Sequence, residues 1–202
     1  MASRATRTGQ IGRRPSTTKD RISEVGLTLF ATRGFDDTSI DDIADAAGIA
    51  RRTFFRYFPS KNALPWGDFD VHLGQMRRDL LEIPIGTPLA DALTTALVDF
   101  NTVPDEQRRM HRTRMKLILT VPALQGYSMV MYEDWRRVVA QFVSGRTGIP
   151  ANEHGPRTIA WLMLGIAISA YEQWLADEDS RRLHDLIAAG ARALHEGVDG
   201  LV

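Results

Sequence analysis

The chain has no cysteine among its 202 residues. A disulfide framework and thiolate metal ligation are therefore excluded, and a reducing, cytoplasmic setting is expected. It has no unbroken apolar run of about 18 residues, so no membrane span is expected. The first residues, MASRATRTGQIGRRPSTTKDR, lack the apolar core of a secretory leader. Histidine is scarce: His72, His111, His154, His184 and His195 are widely spread, and none falls into an HExxH or another compact ligand set. The patterns GxSxG, GxxxxGK[ST] and GxGxxG are missing, so there is neither a nucleophile elbow nor a phosphate-cradling loop. Paired acids such as Glu133-Asp134 and Asp177-Glu178-Asp179 read as solvated helix ends. No catalytic residue, metal or cofactor is expected, and the chain does not read as an enzyme.

Net charge of either sign is also missing, but the balance is uneven. Residues 1–66 carry 11 Lys+Arg against 7 Asp+Glu, and residues 67–202 carry 14 against 18. The first 19 residues hold Arg4, Arg7, Arg13, Arg14 and Lys19 and no acid. A basic N-terminal third on a neutral chain fits a polyanionic partner. A solvated basic tail fits it equally well.

What is present is helical periodicity. Residues 1–16 are rich in Arg, Ser, Thr and Gly and end near Pro15, which reads as a flexible basic arm. Thr17 or Thr18 can cap a first helix, whose apolar face is Ile22, Val25, Leu29 and Phe30 and which Gly34 stops. A second helix begins at Thr38 or Ser39, with Asp41 and Asp42 placed to complete a capping box. Its face is Ile40, Ile43, Ala44 and Ala47, and Gly48 ends it. A third runs from Ile49 or Ala50 to Tyr57, and Pro59 forbids continuation. Gly48 supplies the sharp turn of a helix-turn-helix. The rest also reads as helices: Asn62 to about Leu81 with an early Pro65, Pro88 to Thr102, Pro104 to Thr120, Pro122 to Gly145, 157–176 and 179–198. No alternating β pattern with hairpin turns occurs. The fold class expected is all-α, with a helix-turn-helix unit over 17–61 and a larger helical bundle over 62–202.

The third helix, ARRTFFRYFPSK, combines arginines with aromatics. In a helix-turn-helix the N-terminal residues of the second helix face the bases of the major groove. Arg51 and Arg52 can pair with guanine O6 and N7, and the Thr53 methyl can touch a thymine methyl. Phe54 and Phe58, four apart, share the opposite face and can anchor the helix. Tyr57 and Lys61 stand where phosphates are expected. Thr38, Ser39, Ala50 and Arg56 complete the candidate DNA-contact set. The alternative is a solvated arginine face over a small core.

The stretch FATRGFDDTSIDDIADAAGIARRTFFRYFPSKNAL resembles the N-terminal domain of TetR/AcrR-type transcriptional regulators. The resemblance covers about residues 18–65. It implies a three-helix DNA-binding domain on an all-helical ligand-binding and dimerisation domain. Two departures stand out: Phe55 occupies a place where a phosphate-contacting Tyr is common, and Arg52 one where Gly is common. The continuation RTFFRYFPSKNALPWGDFD is similar to TetR-like regulators associated with mycofactocin systems.

That architecture implies a homodimer through the last two helices. One stripe is Trp161, Leu164, Ile168, Tyr171 and Leu175; the other is Leu183, Leu186, Ile187, Gly190, Ala191 and Leu194. The alternative is that both face the core of a single chain. Leu73, Met76, Leu80, Phe100, Met131, Trp135 and Trp161 are candidate pocket residues, since Met and aromatics suit an adaptable apolar cavity. Each is equally a candidate for plain core. Arg108 and Arg112, in the run RRMHRTRMK, could receive ligand phosphates such as those of an acyl-CoA. The function expected is a sequence-specific regulator of palindromic operator DNA, a repressor released by a small apolar ligand. The alternatives are a small-molecule carrier with non-specific DNA affinity, or an activator on the same scaffold.

Overall fold

The computed structural model describes residues 18–177 and 182–196. The arm expected over 1–16 lies outside them, as do Thr17 and the ends of the helix expected over 179–198. Among the described residues there are nine α-helices and no strand: α1 (Thr18–Arg33), α2 (Ile40–Ala47), α3 (Arg51–Tyr57), α4 (Phe69–Glu82), α5 (Leu89–Phe100), α6 (Arg108–Thr120), α7 (Pro122–Thr147), α8 (His154–Ala176) and α9 (Leu183–Glu196). The all-α expectation holds.

Two apolar cores form. The first gathers Ile22, Leu27 and Phe30 of α1, Phe35, Ile43 and Ala47 around α2, Phe54 and Phe58 at α3, and Leu64. Leu124 of α7 is buried in it as well, and Met110 and Leu117 of α6 pack against it. The helix-turn-helix unit, the reading head, is thus seated on α6 and α7 rather than hung from a linker. The second core collects α4, α5, α7, α8 and α9 around Trp135, Val138, Val139, Leu164, Tyr171 and Ile187.

The connection between the cores differs from the single helix expected from Asn62. A 3₁₀ helix, Lys61–Trp66, capped by Ser60, comes first and contains Pro65. At Gly67 the backbone turns to φ 54°, ψ −131°, and α4 starts only at Phe69. Pro65 has no N–H to donate, and only glycine tolerates the conformation at 67, so the helix breaks into two pieces. The break is braced: Lys19 of α1 pairs with Asp68 at 2.7 Å, and the Ser23 hydroxyl donates to Leu64 O at 3.0 Å.

α8 has the length and apolar composition of a membrane-crossing helix. Eight of its residues, including Met163, Leu164, Ala167, Tyr171 and Trp174, are buried inside the protein, so packing accounts for its apolarity. Most of the proposed dimer stripes face the same interior. Leu164, Tyr171, Leu183 and Ile187 are buried in the second core, Ile168, Leu175 and Leu186 pack against it, and Ala191 is buried as well. Gly190 lets α9 approach α8: a Cβ there would stand 2.9 Å from Ile166 Cγ2. Of the two stripes, Trp161 of α8 and Leu194 of α9 are nearly half exposed, and Leu162 and Gly165 are exposed beside Trp161 on α8.

Candidate nucleic-acid interface

The geometry of α2 and α3 follows from local chemistry. Ser39 caps α2: its hydroxyl accepts the Asp42 N–H at 3.1 Å, while the Asp42 carboxylate accepts the Ser39 N–H at 2.8 Å. These bonds to Ser39, with a smaller contribution from Arg33, hold the Asp42 carboxyl below the ordinary aspartate value. Gly48 lies in the left-handed region at φ 67°, and the Ile49 N–H returns to Ala44 O at 2.9 Å, closing the helix. The chain then turns into α3. Phe54 and Phe58 turn inward together, ring centroids 5.5 Å apart, and both are buried. That inward face leaves Ala50, Arg51, Arg52 and Arg56 exposed and Thr53 half-buried on the other.

Arg51 is not loose on this face. Its guanidinium donates to Asp41 of α2 at 2.7 Å and lies over the Phe55 ring. Both side chains of the pair are more than half exposed, so the bond is weak and exchangeable. It orients the fork without sequestering it. Phe55, 45 % exposed, is the apolar member of the surface. Arg56 stacks on Tyr57 and donates to its hydroxyl at 3.2 Å. Sequence reasoning missed the roles of Asp41 and Phe55; the ten-residue separation of Asp41 from Arg51 carried no helical-spacing signal.

Two of the expected contacts are placed differently. Thr38 is 0 % exposed, and its hydroxyl donates to Gly34 O at 2.7 Å. Its side chain closes the turn after α1 and faces inward, so the expected Thr38 contact is corrected. Lys61 directs its ammonium onto Phe35 O at 2.7 Å and Thr38 O at 3.0 Å, above the Phe35 ring. Two of its three N–H groups therefore hold the α1–α2 turn. Lys61→Ala is expected to lower the thermal midpoint, removing charge-assisted bonds worth about 1.5–3 kcal/mol each. Differential scanning calorimetry checks this; an unchanged midpoint would show that the turn needs no such tie.

The pocket candidates separate. Leu73, Met76, Leu80 and Trp135 are buried together, and Phe100 packs against them. Met131 is half-buried and belongs to neither core. Trp161 is corrected: it is 46 % exposed on the outside of α8, with the Arg136 guanidinium 3.5 Å over its ring. It lines a shallow surface groove of about 430 Å³ with His154, Arg157 and Thr158.

Of the two arginines expected to receive phosphates, Arg108 remains exposed and only Arg112 is committed within the chain. Arg108 pairs with Asp105. Arg112 donates to Leu175 O at 3.0 Å and Asp177 O at 2.9 Å, with Trp174 beneath it. It satisfies the last carbonyls of α8, where a cation is favoured by the helix dipole. Beside it is a partly buried polar chain the sequence did not reveal. Tyr171 donates to Asn101 Oδ1 at 2.9 Å, and His111 Nε2 lies 2.7 Å from the Tyr171 oxygen. Since the one phenolic proton is committed to Asn101, His111 must donate, which fixes the proton on Nε2. Burial, with smaller contributions from Arg114 and His72, pushes the His111 pKa down to about 4.

A left-handed glycine turn joining a capped helix to a short arginine-bearing helix, carried on a helical bundle, is the build of a bacterial helix-turn-helix regulator. Residues 22–64 match the profile of bacterial regulatory proteins of the tetR family, and residues 87–199 match that of the MftR C-terminal domain. The chain therefore belongs to the TetR family of DNA-binding transcriptional regulators, a family of non-enzymes, in its branch with an MftR-type C-terminal domain. It is 51 % identical over 192 residues to the protein of Mycobacterium tuberculosis (strain ATCC 25618 / H37Rv) assigned as the mycofactocin biosynthesis transcriptional regulator MftR, covering 95 % of this chain and 96 % of that one. It is 31 % identical to the regulator AcrR of Shigella flexneri, over 78 % of each chain. Among solved structures, the fatty acid degradation regulator FadR of Bacillus halodurans superposes with a TM-score of 0.65 at 16 % identity, covering 92 % of this chain and 98 % of that one. Thermus thermophilus FadR in complex with lauroyl-CoA gives 0.59 at 20 %, covering 89 % and 94 %. At these identities the two structures share the fold.

Proposed function

We propose that the chain is a homodimeric repressor of a palindromic operator, released by a small apolar ligand bound in the second core. The observation that carries it is the division of α3 into a buried Phe54/Phe58 face and an exposed Arg51/Arg52/Arg56 face. Arg51, Arg52 and Thr53 read bases; Ser39, Ala50, Arg56 and Tyr57 sit against the backbone, and the third N–H of Lys61 adds one phosphate bond. The outer faces of α8 and α9, with Trp161, Leu162, Gly165 and Leu194, meet a second copy, which sets two recognition helices about 34–36 Å apart. The working place of such a regulator is the cytoplasm, beside DNA and away from membranes. Lauroyl-CoA on a protein of the same fold favours an acyl-CoA or related acyl ligand.

Arg51→Ala is expected to lower affinity for the operator by about 1–3 kcal/mol and to relax base preference at one position per half-site. Binding selection on randomised half-sites reads this. A variant with weakened affinity but wild-type preference would move Arg51 from base reading to phosphate contact.

The reading as a whole is tested by mobility shift on DNA upstream of the chain's own gene and its neighbours. Two salt concentrations and a panel of acyl-CoAs and fatty acids are used. Sequence-selective, salt-sensitive binding that a ligand abolishes supports it. Ligand-enhanced transcription in a reporter would make the same scaffold an activator. Indifference to DNA sequence and ligand would leave a carrier with electrostatic DNA affinity.

A further inference from the structure

We propose that Phe55 is a specificity-determining residue that reads the C5-methyl of a thymine in the operator, on the base pair next to the one that Arg51 addresses. This rests on the base-reading role given to Arg51 above and deepens it, naming a second base and the group by which it is recognised. Phe55 is 45 % exposed, and no other large apolar side chain of the described helix-turn-helix unit is exposed. Phe54, the residue before it, is fully buried, and the two rings meet edge to face with centroids 5.6 Å apart. The Phe55 ring is thus backed by the first core on one side and open to solvent on the other. Four residues, about one turn of α3, separate it from Arg51, whose guanidinium carbon lies 5.5 Å from the ring centroid. Asp41 holds the fork from α2: its Oδ2 accepts from Arg51 Nη1 at 2.7 Å. Ring and fork are therefore held side by side before DNA arrives.

Duplex DNA offers such a ring few partners. A phenyl group has no donor for a phosphate oxygen, and the Asp41 carboxylate puts negative charge on the same flank. Set against the polar edge of a base, the ring would leave donors or acceptors unpaired. The apolar group of the major groove is the thymine C5-methyl, and Phe is among the side chains suited to it. When Arg51 takes guanine O6 and N7, a ring beside it meets the neighbouring pair, because base pairs stack about 3.4 Å apart. Thr53 also carries a methyl group. It stands two residues from Phe55, on nearly the opposite side of a helix with about 3.6 residues per turn, so the two do not share one thymine.

The full-length protein is titrated by fluorescence anisotropy with a labelled duplex chosen by selection on randomised half-sites. Each thymine is then replaced in turn by deoxyuridine, which lacks only the methyl group. Replacement of each guanine by 7-deazaguanine, which lacks N7, locates the base taken by Arg51. In the wild-type protein one deoxyuridine position per half-site is expected to weaken binding roughly 4-fold, the worth of one methyl group lost from an apolar contact. That thymine is expected beside the guanine whose 7-deaza replacement is felt by the wild type and not by Arg51→Ala. Phe55→Ala is expected to bind the thymine and deoxyuridine duplexes equally, and Phe55→Leu to keep a preference for thymine. The comparison is a ratio within one protein, so partial unfolding of a variant weakens both duplexes alike and leaves the ratio readable. Sequence-selective binding in which no deoxyuridine position matters, or in which the same position matters equally in Phe55→Ala, would overturn the assignment. An effect lost in Thr53→Ala instead would give the thymine to Thr53 and overturn it as well. Binding without any sequence preference would fail the regulator reading as a whole, and this assignment with it. If no guanine depends on Arg51 while the thymine effect still disappears in Phe55→Ala, the role of Arg51 falls and that of Phe55 stands.

Discussion

Phe54→Ala is expected to abolish operator binding while the second core remains folded. Phe54 is fully buried at the centre of the first core, its ring against Phe55 at 5.6 Å and Phe58 at 5.5 Å. Truncating a buried Phe costs about 3–5 kcal/mol through lost transfer energy and the cavity left behind. That is a large share of the ~5–15 kcal/mol that holds a typical domain together. The first core is small and has nothing to spare: most of its apolar mass is Phe30, Phe35, Phe54, Phe58 and the five aliphatic residues Ile22, Leu27, Ile43, Leu64 and Leu124. Losing the anchor frees α3, and the arginine face loses its backing before any arginine is changed. Circular dichroism melting with mobility shift checks this. The expected record is an early transition for the reading head, a later one for the rest, and no shifted band. Wild-type DNA affinity in Phe54→Ala would show that α3 is positioned by its caps rather than by its buried face.

Acidification is expected to destabilise the second core between about pH 6.5 and pH 4, through His111. The His111 pKa in the folded chain is about 4. In the unfolded chain it returns to about 6.5. Between those values the unfolded state binds the extra proton, so stability falls as pH falls. The shift corresponds to about 3 kcal/mol, fully lost below the folded value. The structural cost is specific. Protonating Nδ1 places a charge beside Arg114 and in an apolar surround, where burial already opposes it. Asp42 acts in a lower window. Its depressed carboxyl loses its contribution only as pH falls below the ordinary aspartate range. His111→Gln keeps a donor for Tyr171 without a titrating ring, so it is expected to flatten the curve from pH 6.5 to 4. Thermal midpoints measured at half-unit steps of pH check this. A wild-type profile that is flat in that window would mean that His111 titrates as an exposed histidine does.

The local architecture is legible in the chain's residues alone. Gly48 and Gly34 mark helix ends because each adopts a positive φ. Ser39 and Asp42 mark a helix start because they satisfy each other's N–H groups. The four-residue spacing of Phe54 and Phe58 places both on one face, and the arginines then have only the other. All of this is contained within a few residues, so spacing suffices to read it. Tertiary structure decided what the polar side chains do. Lys61 finds its acceptors 23 and 26 residues away, and Arg112 finds its own 63 and 65 away. His111, Tyr171 and Asn101 are separated by 60 and 70 residues and meet only when α5, α6 and α8 pack. Trp161 and Tyr171 look alike as members of one helical stripe, yet one is half exposed and the other buried. Periodicity gives the direction of a side chain on its own helix. Which helix, carbonyl or guanidinium stands opposite is set by the packing of the whole chain, because a buried donor takes whatever acceptor the fold brings within about 3 Å.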